Sequence, residues 1–240
     1  YGFRGPVNLF ALAAQRYLAD RAIAPADMAA LAVKQRAKAV KNEKALLRAP
    51  ITEADYLNSP MVASPLRRLD CCLETDGACA LVVTSADRAR TLGARPVSIR
   101  AVVRGGGSGS SAPDKAGDHP GRIFSHYVAP AIYAASGMTA KDIDLLQLYD
   151  GYTFLIPGQL EDFGFCAPGA VREAIRGDLP VNMNGGLLSE GYVHGLNNVV
   201  EAVEQLQGKG GDRQVPGAAV ALCTGFGGSF GSAAILTREA

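Results

Sequence analysis

The sequence carries almost no net charge, because 24 lysines and arginines face 23 aspartates and glutamates and leave a formal +1. That balance removes the electrostatic reason to expect nucleic acid as a partner. No apolar run approaches the roughly 20 residues that a membrane span needs. The start Tyr1-Gly2-Phe3-Arg4-Gly5-Pro6 lacks the charged-then-apolar order of a signal peptide. Cysteines are few and odd in number: Cys71, Cys72, Cys79, Cys166 and Cys223 show no zinc-type spacing, and a vicinal pair cannot form an ordinary disulfide with itself. No metal site is expected from them, and a reducing cytoplasm is the simplest home. An initiator methionine is also absent, which points to a chain that begins partway through a longer one.

What the sequence has is enough apolar content, 48% over 240 residues with 20% charged, to bury one sizeable core or two smaller ones. Its most informative segment runs from Val181 through Gly185-Gly186, Glu190-Gly191-Tyr192-Val193-His194-Gly195 to Leu196. There a glycine-rich turn delivers a tyrosine and a histidine to the start of a helix. The four glycines permit positive φ and close approach to a ligand, and the helix start offers free N–H groups to an anion such as an enolate or a phenolate. In that helix Leu196, Val199, Val200, Val203 and Leu206 form one face. Asn197, Asn198, Glu201, Glu204 and Gln205 form the other.

Elsewhere the spacing predicts a helix over 8–22 capped by Asn8, and a second from Pro25 to about Val40. A capping arrangement of Thr52 with Asp55 predicts a short helix. Strands are expected over 79–84 and 97–103 with a short helix from Ser85 between them, and a domain boundary near Pro96. Residues 104–114 read as a surface loop whose glycines miss the G-x-G-x-x-G spacing of a nucleotide site. Then come a helix over 127–136, a turn capped by Thr139, a strand over 144–148, and helices over 154–163 and 169–176. Helix 196–206 follows, then strands over 218–224 and 232–237. Strands alternating with helices argue for an α/β layered fold with its ligand sites at strand ends.

Four motifs, in this order, resemble the C-terminal half of the thiolase superfamily, in the branch of the sterol-carrier-protein thiolases and the lipid-transfer proteins. Asp76-Gly77-Ala78-Cys79-Ala80 is similar to the D-G-A-x-A strand, and Leu148-Tyr149-Asp150-Gly151-Tyr152 stands where thiolases carry N-E-A-F or H-D-x-F. Gly185-Gly186 through Gly191-Tyr192-Val193-His194-Gly195 is similar to G-G-x-x-x-x-G-H-P-x-G, and Cys223-Thr224-Gly225-Phe226-Gly227-Gly228 to C-x-G-G-G. The resemblance implies a thiolase-like layered αβα fold of mixed sheets covered by helices. Residues 1–96 would be the end of an N-terminal core domain with its loop region, and 97–240 a C-terminal core domain. The acylated cysteine of the family would precede this chain.

Two departures set the expected chemistry. Tyr192 replaces the G-H-P histidine that activates the thiolase nucleophile, and Tyr149 replaces the asparagine or histidine of the other loop. Paired tyrosines at these positions resemble the aldolase members of the branch, which cleave β-hydroxyacyl-CoA side chains in steroid catabolism. Retro-aldol cleavage needs a base for the β-hydroxyl proton, a site for the enolate oxygen and an acid for the enolate carbon. Tyr192 is assigned as base and Tyr149 as acid, with exchange of the two roles left open. A helix start at Tyr192 is expected to stabilise its phenolate.

Other candidates carry two readings each. His194 is a second acid or base, or a packing residue. Cys223 resembles the thiolase base, or is a buried strand cysteine. Gly191, Gly227 and Gly228 are candidate backbone donors to a thioester oxygen, or parts of tight turns. Lys34, Arg36, Lys38, Lys41, Lys44 and Arg48 would attract coenzyme A phosphates, or form a solvated helix face. Tyr152 and the remaining cysteines are read as packing residues. The resemblance implies no cofactor beyond the coenzyme A of the acyl-CoA substrate, a homodimer, and a small OB-fold, zinc-ribbon partner of the DUF35 type. Thiolase-type acyl transfer and a non-catalytic acyl-CoA or lipid-binding subunit are the alternatives.

Overall fold

The structure, a computed structural model, describes residues 2–3, 5–92, 95–106, 122–226 and 230–239. Its centre is a four-stranded mixed sheet in the order β3 (Val97–Gly105), β6 (Gly231–Arg238), β5 (Val220–Phe226), β4 (Leu145–Gln147). β6 runs antiparallel to both neighbours, and β4 runs parallel to β5 with Gln147 opposite Cys223. Because successive side chains of a strand point to opposite faces, Leu222 and Ile235 face one layer while Ala221, Cys223 and Leu236 face another. The first layer holds α5 (Ser125–Ser136) through Val128, Ala129 and Ile132, and the second holds α9 (Leu196–Leu206) through Ala202 and Leu206. Helices cover both faces, as the layered α/β reading expects.

The larger apolar cluster does not stop at Pro96. It runs from α1 (Pro6–Asp20) and α2 (Pro25–Val40) to α6 (Leu155–Asp162), α7 (Val171–Arg176) and the sheet, so both predicted segments share one core. α2 begins with Pro25 and ends at Val40 as its proline and alanine pattern predicts. Its small side chains let α8 (Gly186–Ser189) and the preceding turn approach closely. A Cβ on Gly185, whose φ is +96°, would lie 2.5 Å from the Ala39 Cβ. Thr52 caps α3 (Glu53–Asn58) with the reciprocal Asp55 contact, and a short hairpin pairs β1 (Met61–Ala63) with β2 (Leu66–Arg67).

Several expectations are corrected. Residues 79–84 form no strand. Among the described residues nothing pairs with them, and Leu81, Val82 and Val83 are 37%, 90% and 76% exposed. β-propensity alone does not make a strand where no neighbour supplies hydrogen bonds. α4 (Ala86–Thr91) does follow, capped by Ser85. The first helix starts at Pro6 rather than after Asn8. In α9 the apolar face packs on the sheet through Val199, Val203 and Leu206, and Asn197, Asn198, Glu201 and Gln205 of the other face are buried as well, while Leu196 is 40% exposed. Most of the predicted glycine loop at 104–114 lies outside the described residues. No helix among the described residues is long and apolar enough to cross a membrane.

Candidate active site

Tyr149 leaves the end of β4 into a frame of buried polar side chains. Asn182 accepts the Leu148 N–H at 2.6 Å and donates to the Leu148 carbonyl at 2.9 Å, completing the strand edge with a side chain. The Tyr149 N–H donates to Thr224 Oγ1 at 2.8 Å, and its carbonyl accepts from Gln159 at 2.8 Å. Thr224 in turn donates to Gln159 at 2.6 Å, so both ends of the tyrosine backbone are tied to one pair. Asp150 follows, fully buried, with Oδ1 accepting the Leu187 N–H at 2.8 Å and Oδ2 without a hydrogen-bond partner. Burial raises its carboxyl to about 7. Gly186 is required opposite it, since a Cβ there would fall 2.0 Å from Asp150 Oδ2.

Tyr192 arrives from the other side of the glycine-rich turn. Its hydroxyl lies 2.8 Å from the Tyr149 hydroxyl, and either oxygen can be the donor. His194, held at a left-handed φ of 54°, lays its ring 5.1 Å from Tyr192 and 6.2 Å from Tyr149, and Phe226 packs 5.8 Å from Tyr149. The three predicted residues Tyr149, Tyr192 and His194 thus meet on the wall of one cavity of about 970 Å³. Tyr152, Cys71, Cys72, Phe10 and Leu188 line it as well. That volume suits a large, mostly apolar ligand.

Tyr192 precedes Gly195, the N-cap of α9, by three residues, and its phenol lies above its ordinary value, not below it. Burial pushes the Tyr192 phenol up, against a downward pull from the Tyr149 hydrogen bond. Burial pushes the Tyr149 phenol up too, and there the bond to Tyr192 adds to the effect. Burial is the first cause in both, and it holds the two phenols in their protonated form.

Arg36, from the basic run, also lines this cavity. Cys223 is buried on the α9 face of the sheet, away from the cavity, and burial raises its thiol to about 12. Gly191 directs its carbonyl to Asn197 at 3.2 Å, and Gly227 and Gly228 lie outside the described residues. The basic run is not a single solvated face. Arg36 is buried and donates to Ser189 at 3.1 Å, Lys34 and Lys38 donate to carbonyls at 175, 177 and 181, and Lys44 pairs with Glu204 at 2.6 Å. Cys71 and Cys72, read as packing residues, line the cavity, and burial raises the Cys72 thiol to about 12. Among the described residues, no cluster of three or more histidine, cysteine, aspartate or glutamate side chains is placed to hold a metal ion.

A mixed sheet covered by helices on both faces, with the Tyr149 and Tyr192 loops converging beyond strand ends, defines a thiolase-like fold, and residues 125–238 match the family described as thiolase C-terminal domain-like. The chain belongs to the thiolase superfamily. Within it, the chain is 39% identical over 228 residues to the 17-hydroxy-3-oxo-4-pregnene-20-carboxyl-CoA lyase of Mycobacterium tuberculosis, covering 87% of this chain and 56% of that one. It is 37% identical to the steroid side-chain-cleaving aldolase of Thermomonospora curvata, with 87% and 56% covered. The solved structure of the Ltp2-ChsH2(DUF35) aldolase superimposes with a TM-score of 0.89 at 34% identity, covering 99% of this chain and 64% of that one. The chain spans a little over half the length of the two lyase and aldolase relatives.

Proposed function

We propose that the protein to which this chain belongs is a carbon–carbon lyase that cleaves β-hydroxyacyl-CoA thioesters by a retro-aldol route, the acyl group being a bulky polycycle of the steroid side-chain type. The observation that carries this reading is the contact between the Tyr149 and Tyr192 hydroxyls on the wall of a cavity of about 970 Å³. Both phenols sit above their ordinary value, so a standing phenolate is disfavoured at neutral pH and a relay through neutral hydroxyls is favoured. In one concerted relay Tyr192 takes the β-hydroxyl proton as its own proton crosses to Tyr149, and the proton that Tyr149 already holds leaves for the enolate carbon. The Cα–Cβ bond breaks, the β-carbon becomes a carbonyl, and the bonding pair passes into the thioester enolate. The enolate carbon is protonated from Tyr149 in that same step, so neither phenol ever carries two protons. The tyrosines end as they began and no acyl-enzyme is formed.

The wider assignment follows the same relatives. Residues 1–96 are proposed as the end of an N-terminal core domain with its loops, and 97–240 as the C-terminal core domain. Coenzyme A enters only as part of the substrate. A homodimer, a DUF35-type OB-fold and zinc-ribbon partner, and a cytoplasmic location complete the proposal; the partner is supported by the likeness to the Ltp2-ChsH2(DUF35) aldolase. Thiolase-type acyl transfer has less support, because Cys223 is separated from the cavity and Tyr192 stands where that chemistry needs histidine. The test is cleavage of a β-hydroxyacyl-CoA by the full-length protein with its partner. Release of the ketone and a shortened acyl-CoA without free coenzyme A supports the aldolase. Turnover that consumes free coenzyme A establishes thiolysis instead, and binding without turnover establishes the non-catalytic subunit.

A further inference from the structure

The peptide between Gly191 and Tyr192 is held on both of its polar ends. Its N–H donates to Thr75 Oγ1 at 3.0 Å, and its carbonyl accepts from Asn197 Nδ2 at 3.2 Å. The same Nδ2 donates to Glu190 Oε2 at 2.6 Å. Glu190 also accepts from Asn42 Nδ2 at 2.9 Å and from Asn184, so one carboxylate gathers three side-chain amides from α2's end, the glycine-rich turn and α9.

The orientation of Asn197 is not free. Its Oδ1 is buried without a hydrogen-bond partner, a cost the alternative orientation would exchange for a worse one. Turned over, Oδ1 would face the Glu190 carboxylate and the Gly191 carbonyl together, acceptor against two acceptors. The carboxylate therefore fixes the amide, the amide fixes the peptide plane, and that plane sets the direction in which Tyr192 leaves the turn. We infer that Glu190 and Asn197 are positioning residues that aim the Tyr192 hydroxyl at Tyr149. Thr75 is the anchor on the opposite side of the same peptide. As a statement about catalysis the inference rests on the proposed retro-aldol reading; as a statement about the hydroxyl contact it stands alone.

The experiment uses the full-length protein with its partner and reads two quantities. The first is the downfield proton resonance of the shared tyrosine hydroxyls, assigned by its loss in Tyr149→Phe and Tyr192→Phe. The second is kcat and KM for β-hydroxyacyl-CoA cleavage. Glu190→Gln puts an amide donor against the asparagine donors, and Asn197→Asp puts a carboxylate against two acceptors. Each is expected to lose or broaden the resonance and to lower kcat by about tenfold or more while KM stays within about threefold, since misaim harms the chemical step rather than binding. Thr75→Val removes the opposite anchor from a partly exposed position. It is expected to give the same pattern, and it serves as the test if the other two variants do not fold. A preserved resonance with near-normal kcat in the folded variants overturns the inference. If the wild type cleaves nothing, the aldolase reading fails, and the resonance alone still decides the positioning claim.

Discussion

The Tyr149 and Tyr192 hydroxyls lie 2.8 Å apart although 43 residues separate them in the chain. Three helices, α6, α7 and α8, intervene, so the contact is made by packing and not by local sequence. Removing either hydroxyl breaks a proton path while leaving a ring that still fills its place. Tyr149→Phe and Tyr192→Phe are each expected to lower kcat by about two orders of magnitude or more with unchanged thermal stability within about 1 kcal/mol. Rates close to wild type in both variants would remove the basis for the aldolase mechanism.

His194 contributes ring contacts to both tyrosines but no hydrogen bond to either hydroxyl. His194→Ala is therefore expected to be milder, about tenfold or less in kcat. His194→Asn, which tolerates the left-handed φ of 54° better than alanine does, is expected to be the more stable of the two. Steady-state kinetics and thermal melts of the pair check both statements. A loss as large as that of the tyrosine variants would make the imidazole a proton-transfer group.

Much of this arrangement is legible in the sequence, and what is not has physical causes. Pro25 and the Thr52–Asp55 capping box mark helix starts because caps act within one turn of chain. The glycine spacing around Tyr192 survives for the same local reason, since Gly185 meets Ala39 and Gly186 meets Asp150 at distances no side chain permits. Burial of the polar face of α9 is not legible, because periodicity separates polar from apolar without saying which is buried. Asn198 reaches the Leu148 carbonyl at 3.0 Å and Glu201 pairs with Arg213 at 2.9 Å, so this face is interior through long-range partners. Cys223 matches a motif in sequence, yet strand alternation points it to the wrong layer for the cavity. A strand at 79–84 fails because a strand is a property of two segments.

Asp150 predicts a pH dependence of stability. Its folded value of about 7 lies above the ordinary carboxyl range because burial disfavours the charged form. Between about pH 4 and pH 7 the folded protein thus holds a proton that the unfolded chain has released, and stability falls as pH rises through that window and is level above it. Asp150→Asn keeps an oxygen for the Leu187 N–H and removes the ionisation. It is expected to gain stability relative to wild type between pH 5 and pH 8, on the order of a few kcal/mol at the upper end. Chemical denaturation at several pH values measures this, and parallel curves for the two proteins would refute it.

Gly186→Ala carries the opposite expectation. The new Cβ would sit 2.0 Å from Asp150 Oδ2 at a φ of +65°, so steric and backbone strain add. A loss of roughly 3 kcal/mol or more is expected, with the Tyr149 and Tyr192 loops released together because this glycine packs one against the other. Asp150→Ala in the same chain should restore only part of the loss, since it clears the clash and leaves the φ penalty. Full restoration would show that strain at this position is negligible.

The last prediction concerns the exposed stretch at 81–83. Leu81, Val82 and Val83 belong to no regular element and have no strand partner among the described residues, and Val82 and Val83 are 90% and 76% exposed. β3 adds Ile99 and Val102, 53% and 61% exposed, at the edge of the sheet. Unpaired backbone beside exposed branched apolar side chains is a template for association. The 240 residues expressed by themselves are therefore expected to self-associate, and Val82→Lys with Val83→Lys should shift them toward monomer by placing like charges on each docking segment. Light scattering coupled to size-exclusion chromatography reads both outcomes. A wild-type chain that elutes as a stable monomer would show that this stretch is satisfied within the chain itself.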